Sequence, residues 1–481
     1  MPRILKAIAF CAAIIVFGYG VTPWMTAHYG ARNAEEKLAA AFPIPPDIQT
    51  RLDGLERYDD PEGVKYVQQQ VSSRLRYRLV KCSPTYTPRW YESLETVRQR
   101  VDNSACFAQQ NERLAQLGGL LEVGLILRQP PLRPVPVQPS VQVSADSTIL
   151  FEHYATNAGV AVLGQHSRVQ LVDIGTGEEL LSVPLSDFRA IRNLSANGRL
   201  FTDQGETGET LIREVAGGRT VVKLPIQQWC SFIWLDARTS ACMNGQYLIF
   251  VDYRRGQVVP TNLYALPYLQ AASVPDKPDH YVLLSPQRVV EVQLVQRDGT
   301  PRAQLVHELD PETFTARWDS DALIRSKLNA DGSRYLMTTE AGQLVEFSLR
   351  NLQTRVLDTR PLFVRRVMPT ADPSKVLLYG GFKPRGRPVS NGFVLDLERQ
   401  QIASVTAKHD YEDFAGSLLG MSVVRNNTLT LTKDLPVGEP VALAQWRRQM
   451  EEEAARRDQS ERERNRALEQ RLSNKKSPSI N

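Results

Sequence analysis

One stretch of the sequence has oxygen-bearing side chains at the spacing of a calcium-binding loop. Positions 1, 3, 5 and 12 of a twelve-residue EF-hand loop would be filled by Asn329, Asp331, Ser333 and Glu340. Position 6 of such a loop requires glycine for its sharp turn, and here it holds Arg334. The stretch instead predicts a β-hairpin, with turns at Asp331-Gly332 and Ala341-Gly342 and strands over residues 334–339 and 343–349.

The other residue types that perform catalysis lack the usual motif spacings. No H-x-x-x-H or H-E-x-x-H spacing occurs among the six histidines, His28, His153, His166, His280, His307 and His409. The Gly175-Thr-Gly177 stretch lacks the third glycine of a dinucleotide loop and stands between predicted strands, so it predicts a hairpin turn. The sequence has no P-loop and no G-x-S-x-G motif. We therefore predict a non-enzymatic protein with no catalytic residue, cofactor or metal ion.

Four cysteines form two pairs that are close in sequence, Cys82 with Cys106 and Cys230 with Cys242. None has C-x-x-C spacing or the spacing of a zinc site. As disulfides, each pair would stabilise the fold by on the order of 3 kcal/mol through loop entropy, and disulfides persist in oxidising compartments. The pairs predict an extracytoplasmic location. The alternative is four unrelated buried thiols.

Positive charge is concentrated in two neighbouring stretches, although the formal net charge of the chain is only +5. The predicted loop GGFKPRGRPVSNG, residues 380–392, carries Lys383, Arg385 and Arg387, and PLFVRRV places Arg365 and Arg366 among apolar residues. Loops on a rigid scaffold often carry binding, so these five cations are candidates to contact a carboxylate-rich partner or an anionic glycan. The alternatives are a solvated hairpin tip, and arginines that line a propeller rim or channel or pair with acids. The sequence has no basic stripe with interleaved aromatic residues, so we do not expect it to bind nucleic acid.

The N-terminus has the composition of a membrane anchor. After Arg3 and Lys6, the stretch AIAFCAAIIVFGYGVTPWMTA is uncharged over about twenty residues, enough to cross a bilayer at ~1.5 Å per residue. No A-x-A-like cleavage site follows closely, and Phe10 precedes Cys11 where lipid attachment requires a small residue. These features favour a single-pass anchor over residues 1–28 rather than a cleaved signal peptide. Because the flanking charges are nearly balanced, the cysteine pairs decide the orientation: the bulk of the chain is expected outside the plasma membrane, in the periplasm of a bacterium.

Residues 29–128 predict an α-helical region, followed by a Pro-rich linker over residues 129–140. Apolar residues recur at three- and four-residue spacing between Val64 and Leu79 and again from Leu94 to Val101. These two stripes predict a helical hairpin whose helices pack against each other. The alternative is that the stripes dock a partner helix.

Residues 141–442 change to short strands and turns that repeat. A turn like that at Asp331 precedes an apolar strand at seven places, marked by Asp146, Asn197, Asp236, Asp276, Asp331, Asp372 and Asn426. Units of roughly 40–50 residues with about four strands each are what propeller blades require. The S-A-D-G-like turns, and the V-D-x-x-T-G-E type turn at residues 172–178, resemble those of WD40-like, YVTN-like and quinoprotein-like β-propellers. The resemblance implies a mainly β fold of about seven blades; six or eight blades, or two stacked β-sandwiches, are the alternatives.

Residues 443–481 form a charged tail in which i,i+4 pairs such as Glu452–Arg456 favour a helix. Together these features predict a membrane-anchored, extracytoplasmic β-propeller that acts as a scaffold or sensor for protein partners in a cell-envelope complex. The alternative function is that of a propeller enzyme, or of a small-ligand or glycan-binding protein, that uses the axial channel.

Overall fold

The computed structural model describes Cys11 and most of the chain between residues 34 and 475. Within that span the residues not described are 58–60, 83–85, 102–103, 133–139, 143–148, 156–158, 166–167, 185–193, 225–230, 244–247, 262, 264–269, 287, 310–325, 340, 383–391, 407–414, 418–419, 426–427 and 433–436. The chain divides into two units, residues 1–125 with 254–256, and residues 126–253 with 257–481.

The first unit is helical in its described part. Its helices are residues 34–41 (α1), Pro46–Asp53 (α2), Pro61–Cys82 (α3), Leu94–Arg100 (α4) and Ser104–Leu127 (α5). A 3₁₀ turn at Gly54–Arg57 follows α2. Pro46 begins α2, where a missing N–H is harmless because first-turn N–H groups have no partner within the helix. Ser93 caps α4: its Oγ accepts a hydrogen bond from the Thr96 N–H over 3.1 Å.

The apolar stripe of α3 packs internally, as predicted, whereas Leu94 of the second stripe is exposed. Val67 and Val71 of α3 form a buried cluster with Leu117 and Leu121 of α5. The sequence of residues 91–127, which follows Pro84 and Pro88, predicts one long helix. This prediction is wrong, because α4 ends at Arg100 and Val101 has extended backbone (φ −85°, ψ 114°). The apolar periodicity continues across this break, so the sequence pattern alone did not reveal it.

The predicted disulfide between Cys82 and Cys106 is confirmed. It joins the end of α3 to the first turn of α5, with the Cα atoms 5.7 Å apart. Cys242 also takes part in a disulfide. Its predicted partner, Cys230, lies outside the described residues.

The second unit is built from antiparallel sheets, and seven are present among the described residues. Six are made of strands that are consecutive in sequence. Sheet 1 contains β2 (Ile149–Ala155), β3 (Val160–Gln165), β4 (Arg168–Asp173) and β5 (Glu179–Pro184); sheet 2 contains β6 (Leu200–Gln204), β7 (Thr210–Glu214) and β8 (Thr220–Leu224); sheet 3 contains β9 (Ser231–Trp234), β10 (Thr239–Met243), β11 (Leu248–Asp252) and β12 (Gln257–Pro260). Sheet 4 contains β13 (Gln270–Ser273), β14 (His280–Leu284), β15 (Val289–Arg297) and β16 (Thr300–Leu309); sheet 5 contains β17 (Lys327–Leu328), β18 (Arg334–Thr338), β19 (Leu344–Ser348) and β20 (Thr354–Leu357). Sheet 6 contains β21 (Phe363–Pro369), β22 (Lys375–Gly381), β23 (Phe393–Asp396) and β24 (Gln401–Ser404), with β28 (Val441–Ala442) as a fifth strand.

The seventh sheet is composite. It joins β1 (Ser140–Gln142) to β25 (Ala415–Ser417), β26 (Gly420–Arg425) and β27 (Thr428–Thr432), in the order β1-β27-β26-β25. The expectation of about seven blades, which counted seven turns, is wrong, and the alternative of six blades holds. The described chain has six blades of consecutive strands, and the remaining sheet needs a strand from the start of the propeller region.

The first strands of neighbouring sheets face one another, which gives the ring of a β-propeller. Strand β21 contacts β17 and β25, β25 contacts β2, and β9 contacts β13. Strands β2, β9, β13, β17, β21 and β25 therefore lie on the inner side of the ring. The mainly β propeller architecture is confirmed.

The hairpin predicted from Asp331 onward is strands β18 and β19, which pair from Arg334↔Ser348 to Thr338↔Leu344. Asp331 is a turn residue: its Oδ1 accepts hydrogen bonds from the N–H (3.0 Å) and the hydroxyl (2.6 Å) of Ser333. Asp372 binds Ser374 in the same way. Four of the seven marked turns, those at Asp236, Asp276, Asp331 and Asp372, lie directly before the second strand of sheets 3 to 6, and the turn at Asn197 lies directly before β6, the first described strand of sheet 2. Asp146 and Asn426 lie outside the described residues.

Strand β18 shows why both faces of a blade are apolar. Tyr335 and Met337 join a buried cluster with sheet 4, and Leu336 between them joins a cluster with sheet 6. Alternate side chains of a strand point to opposite faces, so one strand contributes to two interfaces between blades. A blade is therefore stable only between neighbours.

The charged tail is helical over Leu443–Lys475 (α6). Leu443 and Trp446 pack into the sheet 6 cluster, where the Trp446 ring lies edge-on to Phe393 at 5.3 Å between centroids. Within the part of the chain that the structure describes, no helix is long and apolar enough to cross a membrane. The anchor predicted over residues 1–28 lies outside that part, apart from Cys11.

Candidate functional site

The two arginines singled out in the sequence lie on the inner strand of sheet 6. In β21, Val364 pairs with Gly380 and Arg366 with Tyr379, so Arg365 is the extra residue of a β-bulge. The bulge places two consecutive cations, both half-buried, on the strand that borders the ring's interior.

The predicted basic loop leaves from the same end of sheet 6. Strand β22 ends at Gly381, which pairs with Phe363 two residues before Arg365, and β23 begins at Phe393. The loop cations Lys383, Arg385 and Arg387 lie outside the described residues. The topology therefore brings the base of this loop beside Arg365 and Arg366. This proximity could not be predicted from the two stretches of sequence taken separately.

A third cation, Lys327, was missed by sequence reasoning. It begins β17, the inner strand of sheet 5, which contacts β21. Solvent reaches Lys327, yet its surroundings are crowded: desolvation lowers the pKa of its amine, and the positive charge of Arg366 lowers that pKa further. The repeat is recognised by its turn, such as that at Asp331, and the short strand before that turn is not part of the turn pattern.

The described strands of sheets 5 and 6 carry two carboxylates, Glu346 and Asp396, and both bind residues outside β17 and β21. Glu346, on β19, binds Arg355 at 2.6 Å and Arg334 at 3.1 Å. Asp396 ends β23 in a turn, where its Oδ1 accepts from the N–H groups of Glu398 and Arg399. We call Lys327, Arg365 and Arg366, at the inner ends of sheets 5 and 6, the basic cluster.

The turn between β18 and β19 holds β21 in position. The Val364 N–H donates to the Gly342 carbonyl over 2.9 Å, and Gly342 (φ +73°) lies so close that a Cβ there would be 2.7 Å from the Cα of Phe363. The basic cluster is therefore positioned by a rigid contact between neighbouring blades.

Comparison with known proteins gives no family. No family model matches the sequence, and no curated protein matches it. Among solved structures, that of Kluyveromyces lactis Hsv2p is similar, with 11% identity and a TM-score of 0.37 over 62% of this chain and 99% of that chain.

The chemistry available at the basic cluster is charge recognition. Ammonium and guanidinium groups donate hydrogen bonds to carboxylates, sulfates and phosphates, and arginine does so with two parallel bonds. Among the described residues, no group of three or more His, Cys, Asp or Glu side chains is placed to hold a metal ion. The propeller itself supports protein interaction in general.

Proposed function

We propose that this chain is a non-enzymatic, membrane-anchored, extracytoplasmic β-propeller that scaffolds protein partners in the cell envelope. The observation that carries the proposal is the proximity of Arg366 to Lys327 across two inner strands, which concentrates like charge on a rigid surface. Carboxylates bind ammonium and guanidinium groups, so an acidic segment of a partner would complement the charge of this surface.

The predicted loop cations strengthen this assignment. Lys383, Arg385 and Arg387 follow Gly381, whose partner Phe363 lies two residues before Arg365. Five cations from this region and Lys327 from sheet 5 would match a partner segment rich in Asp and Glu. A WD40-like or YVTN-like repeat family remains a prediction from the turns.

The location rests on two features of the first unit. The disulfide between Cys82 and Cys106 is typical of an oxidising compartment. The uncharged stretch of residues 7–27 has the length of a membrane span.

The test is affinity purification from membranes through a tag after α6, comparing the wild type with the Lys327→Glu/Arg365→Glu/Arg366→Glu variant. We expect partners captured by the wild type to be lost or strongly reduced, and the loss to be mimicked by high salt. The matched control is Arg297→Glu/Arg302→Glu, which reverses two exposed cations on the β15–β16 hairpin. Equal capture by all three proteins would contradict the role of the basic cluster, and no capture by the wild type would contradict the scaffold function.

A second candidate is binding of a small anionic ligand or glycan at the same cluster. It is favoured by the crowded position of Lys327, because a partly desolvated cation binds an anion more strongly than an exposed one does. Thermal stabilisation of the wild type by a sulfated oligosaccharide, but not by an acidic peptide, would favour this candidate over the protein scaffold.

A further inference from the structure

The loop between α3 and α4 exposes a cluster of large apolar side chains. Trp90 is 71% exposed, Tyr91 59% and Leu94 40%. Nine large hydrophobic residues are exposed in the described chain, and three of them lie within these five positions. Isolated exposed hydrophobics are common, but the adjacent rings of Trp90 and Tyr91, with Leu94 close by in sequence, point to a surface that an apolar partner or a membrane covers.

The loop is held in this exposed conformation by polar contacts at its base. The Lys37 amine donates to the carbonyl of Arg89 over 2.9 Å and also to the carbonyls of Trp90 and Glu92. The buried Glu92 carboxylate accepts from the Tyr86 hydroxyl over 2.8 Å and from the Arg89 N–H over 2.7 Å. The two aromatic rings meet edge-on at 5.8 Å between centroids. The aromatic side chains are thus presented by a fixed backbone rather than by a loose tip.

These contacts hold the loop against α1, the first described helix of the unit. Lys37 lies in α1, and only residues 28–33 separate α1 from the uncharged stretch of residues 7–27. Six extended residues reach at most roughly 20 Å. If residues 7–27 span the bilayer, Trp90 is therefore within reach of the membrane surface from which the chain emerges.

The chemistry around the rings fits the headgroup layer of a bilayer. The Arg89 guanidinium lies 5.9 Å from the Tyr91 ring centroid and donates to the Tyr91 hydroxyl over 2.6 Å. Arg98 donates to the carbonyl of Ala41, which holds the last turn of α4 beside α1. Tryptophan and tyrosine favour the membrane interface because their rings are apolar and their N–H and O–H groups are polar, and neighbouring cations bind anionic headgroups.

We propose that residues 89–94 insert into the headgroup layer of the membrane that holds the N-terminal segment, as a second contact that fixes the orientation of the helical unit. The inference rests on the anchoring in the proposed function. Insertion removes the two aromatic side chains from water, which favours the contact, and the anchor supplies the proximity.

The test uses the full chain in a Cys11→Ser background, so that one introduced cysteine is the labelled thiol. Trp90→Cys is labelled with an environment-sensitive fluorophore, and the protein is reconstituted into vesicles of zwitterionic and anionic phospholipids. The matched control is Leu468→Cys, an exposed position (57%) on α6. We expect lipids spin-labelled near the headgroup to quench the fluorophore at residue 90 several-fold more than the fluorophore at residue 468. Tyr91→Cys provides a second labelled position on the same loop.

Flotation of the vesicles separates the possible failures. If the protein floats with the vesicles and residues 90 and 91 are quenched no more than residue 468, the loop contact is wrong while the anchor stands. A blue-shifted fluorophore at residue 90 that lipid quenchers do not reach would show burial against protein and would also overturn the inference. If the protein does not float, the anchoring fails and this inference fails with it.

Discussion

The backbone N–H of Val364 donates to the carbonyl oxygen of Gly342 across the boundary between two blades, over 2.9 Å. This bond fixes the start of β21 against the β18–β19 turn. Because Arg365 and Arg366 follow immediately, the geometry of the basic cluster depends on the backbone of a neighbouring blade. Substitutions at this boundary therefore affect both stability and charge recognition.

Gly342→Ala should destabilise the propeller by about 2–4 kcal/mol, because it combines the left-handed backbone cost with a clash against Phe363. Gly299→Ala is the matched control: its φ is also +73°, but nothing lies within 4 Å of the added Cβ. Chemical unfolding of both variants gives the comparison. Equal losses would show that packing against Phe363 contributes nothing.

Arg366→Gln should raise the pKa of Lys327 toward its ordinary value, since one of the two causes that lower it is removed. The pH dependence of Lys327 acetylation, followed by mass spectrometry, measures this. Arg355→Gln should leave it unchanged, because Arg355 binds Glu346. In the wild type the folded-state pKa lies below the ordinary one, so stability rises with pH through that interval; in Arg366→Gln this rise should shrink.

Tyr281→Phe should cost about 1–3 kcal/mol, because the Tyr281 hydroxyl donates to the Asp236 carboxylate over 3.1 Å and shares a hydrogen bond with the Thr239 hydroxyl over 2.9 Å. Burial raises the pKa of Asp236, and the hydrogen bond from Tyr281 opposes that rise. The ionised carboxylate is thus disfavoured in the fold, and stability is lost as the pH rises through the folded-state pKa. Removing the donor raises that pKa further, so the cost should be larger at neutral pH than near the ordinary carboxyl pKa of about 4.

Urea unfolding at the two pH values checks this prediction. Tyr253→Phe is the control, because the Tyr253 hydroxyl bonds the neutral hydroxyl of Ser240 at 2.8 Å. Its cost should not depend on pH over the same range. A pH-independent cost for Tyr281→Phe would contradict the role assigned to Asp236.

Replacing Cys82 and Cys106 together by serine should destabilise the helical unit by about 3 kcal/mol, the loop-entropy value for a closure of this length. The measurement is the midpoint of thermal unfolding, with the rate of proteolysis within α3 and α5 as a local probe of the helical unit. Cys11→Ser should have no effect, because Cys11 is free and exposed. An unchanged midpoint in the double variant would contradict a structural role for the bridge.

Trp446→Ala should release α6 from sheet 6, since the ring is 5% exposed and packs against Phe393. A loss of about 3–5 kcal/mol is typical for a buried tryptophan, and it should appear as faster limited proteolysis near residue 443. Leu468→Ala, at an exposed position of the same helix, should leave the proteolysis rate unchanged.

Much of the propeller was predictable because its turns are chemically distinct. The Asp331-Gly332 pair specifies a turn locally, and Tyr335, Leu336 and Met337 show that both faces of the strand are buried. At three other described turns, those at Asn197, Asp236 and Asp372, a side-chain oxygen likewise accepts from a nearby backbone N–H. Turns of this kind can be recognised from the local sequence without knowing which blades are neighbours.

The parts that were not predictable depend on contacts distant in sequence. Strand β17 has two residues, too few for a periodic pattern, so Lys327 was missed. The outer strand of the composite sheet comes from Ser140–Gln142, which sequence spacing assigned to the end of the linker and the start of the first repeat. The approach of β21 to β17 follows from ring closure, which no local pattern encodes.

The composite sheet has a consequence for biosynthesis. Gln142 pairs with Thr428, 286 residues later in the chain. At about 5–20 residues per second, a ribosome needs roughly 15–60 s to produce the second strand after the first. The ring can close only after that interval, so Ser140–Gln142 remains an unpaired strand throughout most of translation, and chaperones have that time to act on the open chain.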